Sequence, residues 1–271
     1  MFPKRGIRFF CTITGYYIFP SRASVGTSGV PQMKILVLGD VHANFPALMA
    51  VENHVRMERF HRIVNTGDFT VYGTYPNEVV QWFRGKRHAI CIAGNTDKRV
   101  VEILTGKKLN KPKREEKRIM YFWTCGNLLP ENVRYLKSLP DRQEFTAGGI
   151  RIGLFHGDFD DKEEALRPDS PESRFRKLAA KFPYRVHVMG HTHVPFHRIV
   201  DGVHFLNPGS AGRPFDGDPR ASFAVLALDS GNITVEHFRI PYPVEEVAAS
   251  LKTNGLPDLY AEMYRTGKKL N

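Results

Sequence analysis

The sequence predicts an α/β protein with two β-sheets, the first mostly parallel and the second increasingly antiparallel. The first observation is an alternation of short apolar runs with helical segments from Met33 onward. Runs rich in Val, Ile and Leu, such as residues 35–38, are typical of strands buried on both faces. The second observation is that strand-like segments predominate after Pro140, with turn sequences such as Asp201-Gly202 between them.

The first half of the chain is predicted to alternate strands with helices. Asn44 can cap a helix that ends near residue 56, and Pro46 is tolerated in its first turn. A charged, poorly periodic stretch is interpreted as a helix that runs into a loop, at residues 100–120. The other predicted strands are 62–65 and 89–93, and the other predicted helices are 77–84 and 131–138.

The second half is predicted to be richer in strands. These strands are expected at residues 144–147, 149–155, 185–189, 196–200, 203–206, 222–228 and 233–238. Helices are expected at residues 171–181, 244–251 and 259–269.

We predict three regions along the chain. Residues 1–32 contain basic residues but no acidic one, and we expect an extension that is disordered or not native. A signal or transit peptide is the alternative for this segment. Residues 33–240 are expected to form the main domain, and residues 241–271 a helical extension that packs on it or flanks it.

Composition limits the classes of protein that fit. The chain has 271 residues, of which 42% are hydrophobic, enough for a sizeable core. It has no apolar stretch long enough for a membrane-spanning helix. Three cysteines without a CxxC pattern indicate a reducing compartment, so we expect a cytoplasmic protein.

The net charge of +11 favours partners that carry phosphate. Basic residues are concentrated at 98–118. This stretch is either a solvated surface or a basic rim that steers an anionic substrate or contacts nucleic acid. No nucleic-acid-binding motif supports the last option, and the oligomeric state is not predicted.

Side chains suited to metal binding follow the predicted strands in five short elements. These elements are Gly39-Asp40-Val41-His42, Gly67-Asp68, Gly94-Asn95-Thr96-Asp97, His156-Gly157-Asp158 and Gly190-His191-Thr192-His193. In open α/β sheets the ligand site lies at the carboxyl ends of the strands, so we expect these side chains to meet at one edge. Oxygen and imidazole ligands without cysteine suit a hydrolytic centre with two metals.

These elements, in this order, resemble the calcineurin-like metallophosphoesterase superfamily, and within it the small bacterial and archaeal phosphodiesterases. Asn207-Pro208-Gly209-Ser210 and Gly212-Arg213-Pro214 are similar to the same branch. The resemblance implies a four-layer α/β/β/α sandwich with two mixed sheets. It covers roughly three quarters of the chain, from about Met33 to about Arg239.

The resemblance also implies a ligand set for two divalent metals. Asp40, His42 and His193 would hold one metal, Asn95, His156 and His191 the other, and Asp68 would bridge both. We expect manganese, although mixed nitrogen and oxygen ligands also accept iron, nickel, zinc, cobalt or magnesium. A water between the metals would attack phosphorus in line.

Further residues have either a catalytic or a structural interpretation. Asn95 and Asp68 are expected to take part in catalysis, Asn95 because its amide could also donate to a phosphate oxygen. Asp158 is a candidate acid for the leaving group. Arg213 either stabilises charge on the phosphate or is a surface arginine.

Similar alternatives apply to residues beside the ligands. Asp97 either caps a helix or orients a ligand, and Asn44 caps a helix and could also face the phosphate. Asn207-Pro208-Gly209-Ser210 either forms a simple turn or supports the metal ligands. Thr96 stands where many phosphomonoesterases of the superfamily have a histidine, a candidate acid, which leaves the general acid open.

The predicted function is therefore metal-dependent hydrolysis of a phosphodiester in a small phosphorylated molecule or nucleotide. A nucleotide pyrophosphatase or a protein phosphatase is the alternative within enzymes. A scaffold protein that keeps the fold without catalysis is the alternative outside them. All the expected ligand positions carry ligand residues, which favours an enzyme.

Overall fold

The computed structural model describes residues 33–157 and 165–271. Its first sheet has five strands in the order β10-β9-β1-β2-β3. The strands β1, β2 and β3 are parallel, whereas β9 is antiparallel to β1 and to β10. Their bounds are β1 Met33–Leu38, β2 Arg62–Asn65, β3 Ala89–Cys91, β9 Ala221–Asp229 and β10 Asn232–Ile240.

The second sheet also has five strands, in the order β4-β5-β6-β8-β7. Its central strands β5, β6 and β8 are parallel, and the outer strands β4 and β7 are antiparallel to their neighbours. Their bounds are β4 Arg142–Ala147, β5 Ile150–Phe155, β6 Val186–Val188, β7 Phe196–Val200 and β8 Val203–Asn207. Both sheets are mixed, as predicted, but each has two parallel and two antiparallel pairings, so the expected contrast between them was wrong: β9 and β10 join the first sheet and not the second.

Helices cover the outer face of each sheet. They are α1 Phe45–Val55, α2 Pro76–Arg84, α3 Asn95–Leu104, α4 Glu115–Asn127, α5 Pro130–Ser138, α6 Glu172–Lys181, α7 Val244–Thr253 and α8 Asp258–Thr266. The charged stretch 100–120 ends one helix and begins another, α4, which the sequence analysis did not separate. Only Met120, Tyr121 and Thr124 of α4 are buried, and this narrow apolar face explains the weak periodicity.

Alternation along β1 shows how the layers form. Leu36 and Leu38 pack into a core with α1, α2, α7 and α8, whereas Ile35 and Val37 pack between the two sheets against residues such as Ile152. A third core joins α6 to the outer face of the second sheet, where Phe175 meets Phe205. The result is the four-layer α/β/β/α sandwich that the sequence predicted.

The last two helices share the large core of the first sheet. Val247 and Leu251 of α7 and Tyr260 and Tyr264 of α8 are buried there. The boundary placed near residue 240 stays a prediction, and the extension 1–32 lies outside the described residues. In the parts of the chain that the structure describes, no helix is both long and apolar enough to cross a membrane.

Candidate metal centre

Loops at the carboxyl ends of strands from both sheets meet at one edge of the sandwich. The loops that follow β1 and β2 carry acidic residues, and α3 begins there with Asn95. The loop after β1 also carries His42, and the loops after β5 and β6 carry His156, His191 and His193. Together they bring all the predicted ligand residues into one cluster, namely Asp40, His42, Asp68, Asn95, His156, His191 and His193.

The first part of the cluster contains two carboxylates and two imidazoles. Ligand atoms of Asp40, His42, Asp68 and His193 all lie within 4.8 Å of one another, and all four residues are buried. His193 Nε2 lies 3.4 Å from Asp40 Oδ1, and His42 Nε2 lies 3.5 Å from Asp68 Oδ2. This spacing could hold one metal ion.

The second part lies on the other side of Asp68. His156 Nε2 is 3.4 Å from Asp68 Oδ2 and 2.9 Å from Asn95 Oδ1. His191 Nδ1 is 2.8 Å from the same Asn95 oxygen and 3.2 Å from His156 Nε2. One carboxylate oxygen, Asp68 Oδ2, therefore belongs to both groups, and the second group could hold another ion.

Hydrogen bonds fix the ring states of the first two histidines. His42 Nδ1 donates to the backbone oxygen of Thr70 at 3.2 Å, and His193 Nδ1 donates to that of Arg213 at 2.5 Å. Each proton is therefore on Nδ1, and the two Nε2 lone pairs face each other at 3.1 Å beside carboxylates. Lone pairs and carboxylates without a hydrogen between them repel, so this donor set fits a cation.

His156 follows the same pattern, since its Nδ1 donates to the backbone oxygen of Thr66 at 2.8 Å. Its Nε2 then faces only the oxygens of Asn95 and Asp68 and the ring nitrogen of His191. Burial acts to lower the pKa of His156, but the charge and hydrogen bond of Asp68 and the charge of Asp40 raise it to about 9, so without metal Nε2 carries a proton toward these oxygens, and a cation would take the place of that proton.

Burial sets the charge states in the cluster. It lowers the pKa of His42 and of His193 to about 3 and that of His191 to about 4, so these rings are neutral, the form that binds metals. Burial also raises the pKa of Asp40 to about 6. Burial acts to raise the pKa of Asp68 as well, but His156 and His42 hold it below its usual value.

The backbone is strained at most of the residues whose side chains form the cluster. Several non-glycine residues of the cluster have φ in the left-handed region, where side chains crowd the backbone. They are Asp40 at 52°, His42 at 50°, Asp68 at 57°, His191 at 68° and His193 at 60°. Such strain collects at functional sites, where the surrounding structure holds it. Sequence alone gave no sign of it.

Thr96 and Asp97 hold the carboxylate of Asp68 and its loop. The backbone N–H and the hydroxyl of Thr96 both donate to Asp68 Oδ1 at 2.8 Å. The carboxylate of Asp97 accepts from the N–H groups of Phe69 and Thr70, and also from that of Gly94, where it caps α3. Asp97 therefore caps α3, one of its two predicted roles, and holds the loop that follows Asp68, while the orienting of a ligand side chain stays a prediction.

The Asn-Pro-Gly-Ser element lies under the histidine loop. Asn207 Nδ2 donates to the backbone oxygen of Gly190 at 2.9 Å and to Thr192 Oγ1 at 3.1 Å. Ser210 Oγ donates to the backbone oxygen of Asp40 at 2.5 Å. The element is more than a simple turn, because it ties the loop of His191 and His193 to the loop of Asp40.

Asn44 caps α1 as predicted, since its Oδ1 accepts from the N–H of Ala47 at 3.1 Å. Its Nδ2 donates to the backbone oxygen of Gly212 at 2.8 Å. Both ends of this buried amide are thus engaged within the protein. The structure places it as a link between α1 and the loop of Arg213.

Arg213 is not a surface arginine, because only 4% of it is exposed. Its guanidinium carbon lies 3.8 Å from the centre of the Tyr72 ring, and that ring lies 5.2 Å from the ring of His42. Tyr72, with φ at 78°, is a residue of the site that the sequence analysis missed. The other catalytic candidate, Asp158, lies outside the described residues.

Comparison with known proteins agrees with this geometry. Residues 33–231 match the family model described as the calcineurin-like phosphoesterase superfamily domain. A curated relative, an uncharacterised protein of Methanocaldococcus jannaschii, is 28% identical over 86% of this chain and 98% of its own length. A probable metallophosphoesterase of Methanothermobacter thermautotrophicus is 32% identical over 39% of this chain and 56% of its own length.

Solved structures show the same fold. The metallophosphoesterase of Sphaerobacter thermophilus superposes with a TM-score of 0.69 at 28% identity, over 88% of this chain and all of that one. A hypothetical protein of Pyrococcus horikoshii superposes with a TM-score of 0.78 at 20% identity, over 88% of this chain and 99% of that one. The chain belongs to the calcineurin-like phosphoesterase superfamily and is a metal-dependent hydrolase of phosphoric esters.

Proposed function

We propose that the protein hydrolyses a phosphodiester bond in a small phosphorylated molecule or nucleotide and that it uses two divalent metal ions. One observation carries the proposal: two groups of converging ligand atoms share the carboxylate oxygen Asp68 Oδ2. A carboxylate between two cations keeps them close without prohibitive repulsion. We further propose manganese as the metal and the cytoplasm as the location.

In this proposal each ligand residue has a defined place. Asp40, His42 and His193 would hold one ion, and Asn95, His156 and His191 would hold the other. Asp68 would contact both ions. When bound, the ions would supply Lewis acidity for the phosphoryl group and would make a water nucleophilic near neutral pH.

The protein's own groups orient this arrangement. The backbone oxygens of Thr70, Arg213 and Thr66 each accept from Nδ1 of one ring, so that Nε2 of His42, His193 and His156 points to where a cation would bind. Thr96 fixes the orientation of Asp68 through two hydrogen bonds. The buried guanidinium of Arg213 adds positive charge near His42 and His193 and favours an anionic substrate.

Thr96 supports a diester rather than a monoester. Its hydroxyl hydrogen is used toward Asp68, and a threonine hydroxyl does not titrate at working pH. This position therefore has no acid to protonate a poor leaving group. Diesters with leaving groups that depart as stable anions are the substrates that tolerate this loss best.

The test is a panel of esters assayed with Mn²⁺, Ni²⁺, Mg²⁺ and Zn²⁺ on the metal-stripped protein. We expect Mn²⁺ to give the fastest hydrolysis of bis(4-nitrophenyl) phosphate, and 4-nitrophenyl phosphate to be cleaved more slowly. Hydrolysis of the monoester alone would show that the proposed bond class is wrong. Equal activity without any added or bound metal would show that the metal assignment is wrong.

A further inference from the structure

Beside the metal centre, Arg213 is a buried cation that has no anionic partner among the described residues. Its Nε has no hydrogen-bond partner, and one terminal nitrogen contacts Met263 Sδ at 3.3 Å and Asn271 Oδ1 at 3.4 Å. No carboxylate of the described residues forms an ion pair with it. A charge that is taken out of water is costly unless an opposite charge compensates it.

Aromatic faces compensate this charge only in part. The guanidinium carbon lies 3.8 Å from the ring centre of Tyr72, 4.9 Å from that of Phe215 and 5.4 Å from that of Tyr260. Cation–π contacts are weaker than charge-assisted bonds to a phosphate, which a guanidinium can grip with two N–H groups. The surroundings of Arg213 therefore hold it in place and leave it short of an anion.

Two lysines add positive charge at the same place. Lys269 Nζ lies 5.8 Å from the centre of the Phe215 ring, on which Arg213 also packs. Burial lowers the pKa of Lys117 to about 8, and Arg213, Lys269 and Arg114 act in the same direction. Burial, the largest effect, also lowers the pKa of Lys269, and the charges of Arg213 and Arg167 act in the same direction. Among the described residues, no carboxylate offsets these effects on either lysine.

The cationic cluster is defined as Arg213, Lys117 and Lys269. The ring of Phe215 lies between its members Arg213 and Lys269 and the ligand His193. The ring of Phe215 stacks on His193 at 4.1 Å and also packs near Arg213 and Lys269. A group bound at the cluster would thus be a neighbour of the reacting phosphoryl group and not that group itself.

We propose that the cationic cluster is a subsite for a second phosphate group of the substrate, so that the natural substrate is a phosphoester with two phosphates. The inference rests on the proposed function, because the first phosphate is assigned to the metal centre. Nucleic acid also carries several phosphates, but it calls for a wide exposed basic surface. The cluster is instead compact, and Arg213 is enclosed by Tyr72, Phe215 and Tyr260.

Two substrates that differ by one phosphate test the inference. One is the 4-nitrophenyl ester of thymidine 5′-phosphate, and the other is the same compound with an added 3′-phosphate. With Mn²⁺ we expect the second compound to have a kcat/KM about tenfold or more above the first at low salt. A ratio of one or below would overturn the inference while leaving the proposed function intact.

Variants then locate the effect. Lys117→Met and Lys269→Met remove one charge each and keep much of the apolar stem. Each is expected to lower the ratio of the two kcat/KM values severalfold, and the double variant is expected to bring it close to one. Lys137→Met, on the exposed side of α5, is the matched control and should keep the ratio of the natural protein. The same ratio in the natural protein, in both single variants and in the double variant would refute the subsite.

A binding experiment separates this inference from catalysis. Titration calorimetry compares thymidine 3′,5′-bisphosphate with thymidine 5′-phosphate on the full-length protein in chelator. Tighter binding of the bisphosphate that is lost in the double variant supports the subsite, even if neither ester is hydrolysed and the proposed function fails. Single-stranded oligonucleotides are titrated in the same way. If they bind more tightly than the bisphosphate and their affinity rises with length, the inference of a small substrate is overturned and nucleic acid is the ligand.

Discussion

Replacing Asp68 by Asn tests whether one carboxylate serves both metal groups. Asp68 Oδ2 lies 3.5 Å from His42 Nε2 and 3.4 Å from His156 Nε2, so the negative charge lies between the two groups. Asparagine has nearly the same shape, and its carbonyl oxygen can still accept the two hydrogen bonds from Thr96. The substitution therefore removes charge with little change in packing.

The expected loss is large because the charge is shared. Changing residues that merely orient a ligand costs 10–100-fold in metal affinity or activity, and a ligand common to both ions should cost more. A loss of about 10³-fold in kcat corresponds to about 4 kcal/mol in the barrier. Without metal we expect the variant to stay folded, since it loses the attraction of Asp68 to His156 and also its repulsion from Asp40 and Asp97.

The assay combines metal counting after dialysis with hydrolysis of bis(4-nitrophenyl) phosphate at saturating Mn²⁺. Asp141→Asn is the control, because it removes an exposed aspartate that pairs with Lys98 and is not one of the ligands. Natural turnover together with a full metal content in Asp68→Asn would refute the shared-ligand assignment. Loss of folding in the metal-free variant would show that the charge is needed for the fold itself.

Three further outcomes are expected. Thr96→Val removes one charge-assisted hydrogen bond to Asp68 and should weaken metal binding about 10–100-fold by calorimetry, whereas Thr96→Ser, which keeps the hydroxyl, should stay near the natural affinity. A series of aryl phosphodiesters should show a steep dependence of kcat/KM on leaving-group pKa. The reason is that Thr96 cannot act as a general acid, whose help is worth ~10²–10⁴-fold. If kcat/KM does not depend on leaving-group pKa, another residue donates the proton. Burial lowers the pKa of His187 from 6.5 to about 4, so its neutral form stabilises the fold fully above pH 6.5, and about 3 kcal/mol is lost as the pH falls to 4. The free energy of unfolding of His187→Phe, measured against pH, should fall less steeply over this window than that of the natural protein, and parallel curves would contradict the shift.

The fold and the ligand positions could be predicted because local sequence determines them. Buried parallel strands are continuous apolar runs, and their carboxyl ends lie at one edge of a sheet. Residues such as Asp40 and His156, which directly follow such runs, had to meet there once the strand order was fixed. The four-layer arrangement followed from the resemblance and is confirmed by the three separate cores.

Other features depend on contacts that no local pattern encodes. Helix α4 buries few residues, so its periodicity was too weak to separate it from the basic loop before it. Thr96 was interpreted only as a missing histidine, although its hydroxyl holds Asp68, a contact across 28 residues. The left-handed φ of Asp40 and His42 arises from the tight packing of loops and not from residue type, since neither is glycine.

Arg213 shows most clearly why the sequence could not separate a surface residue from a buried one. The segment Gly212-Arg213-Pro214 is polar and turn-like, so exposure was a reasonable expectation. Its burial comes from Tyr260, Met263 and Asn271, which lie beyond residue 231, where the family match ends. Since Lys269 lies in the same segment, the proposed second phosphate would be selected mainly by residues outside the motifs that hold the metals. Metal chemistry and substrate choice would then be set by different parts of the chain, and changes at Lys117 of α4 or at Lys269 after α8 would alter the second and leave the first as it is.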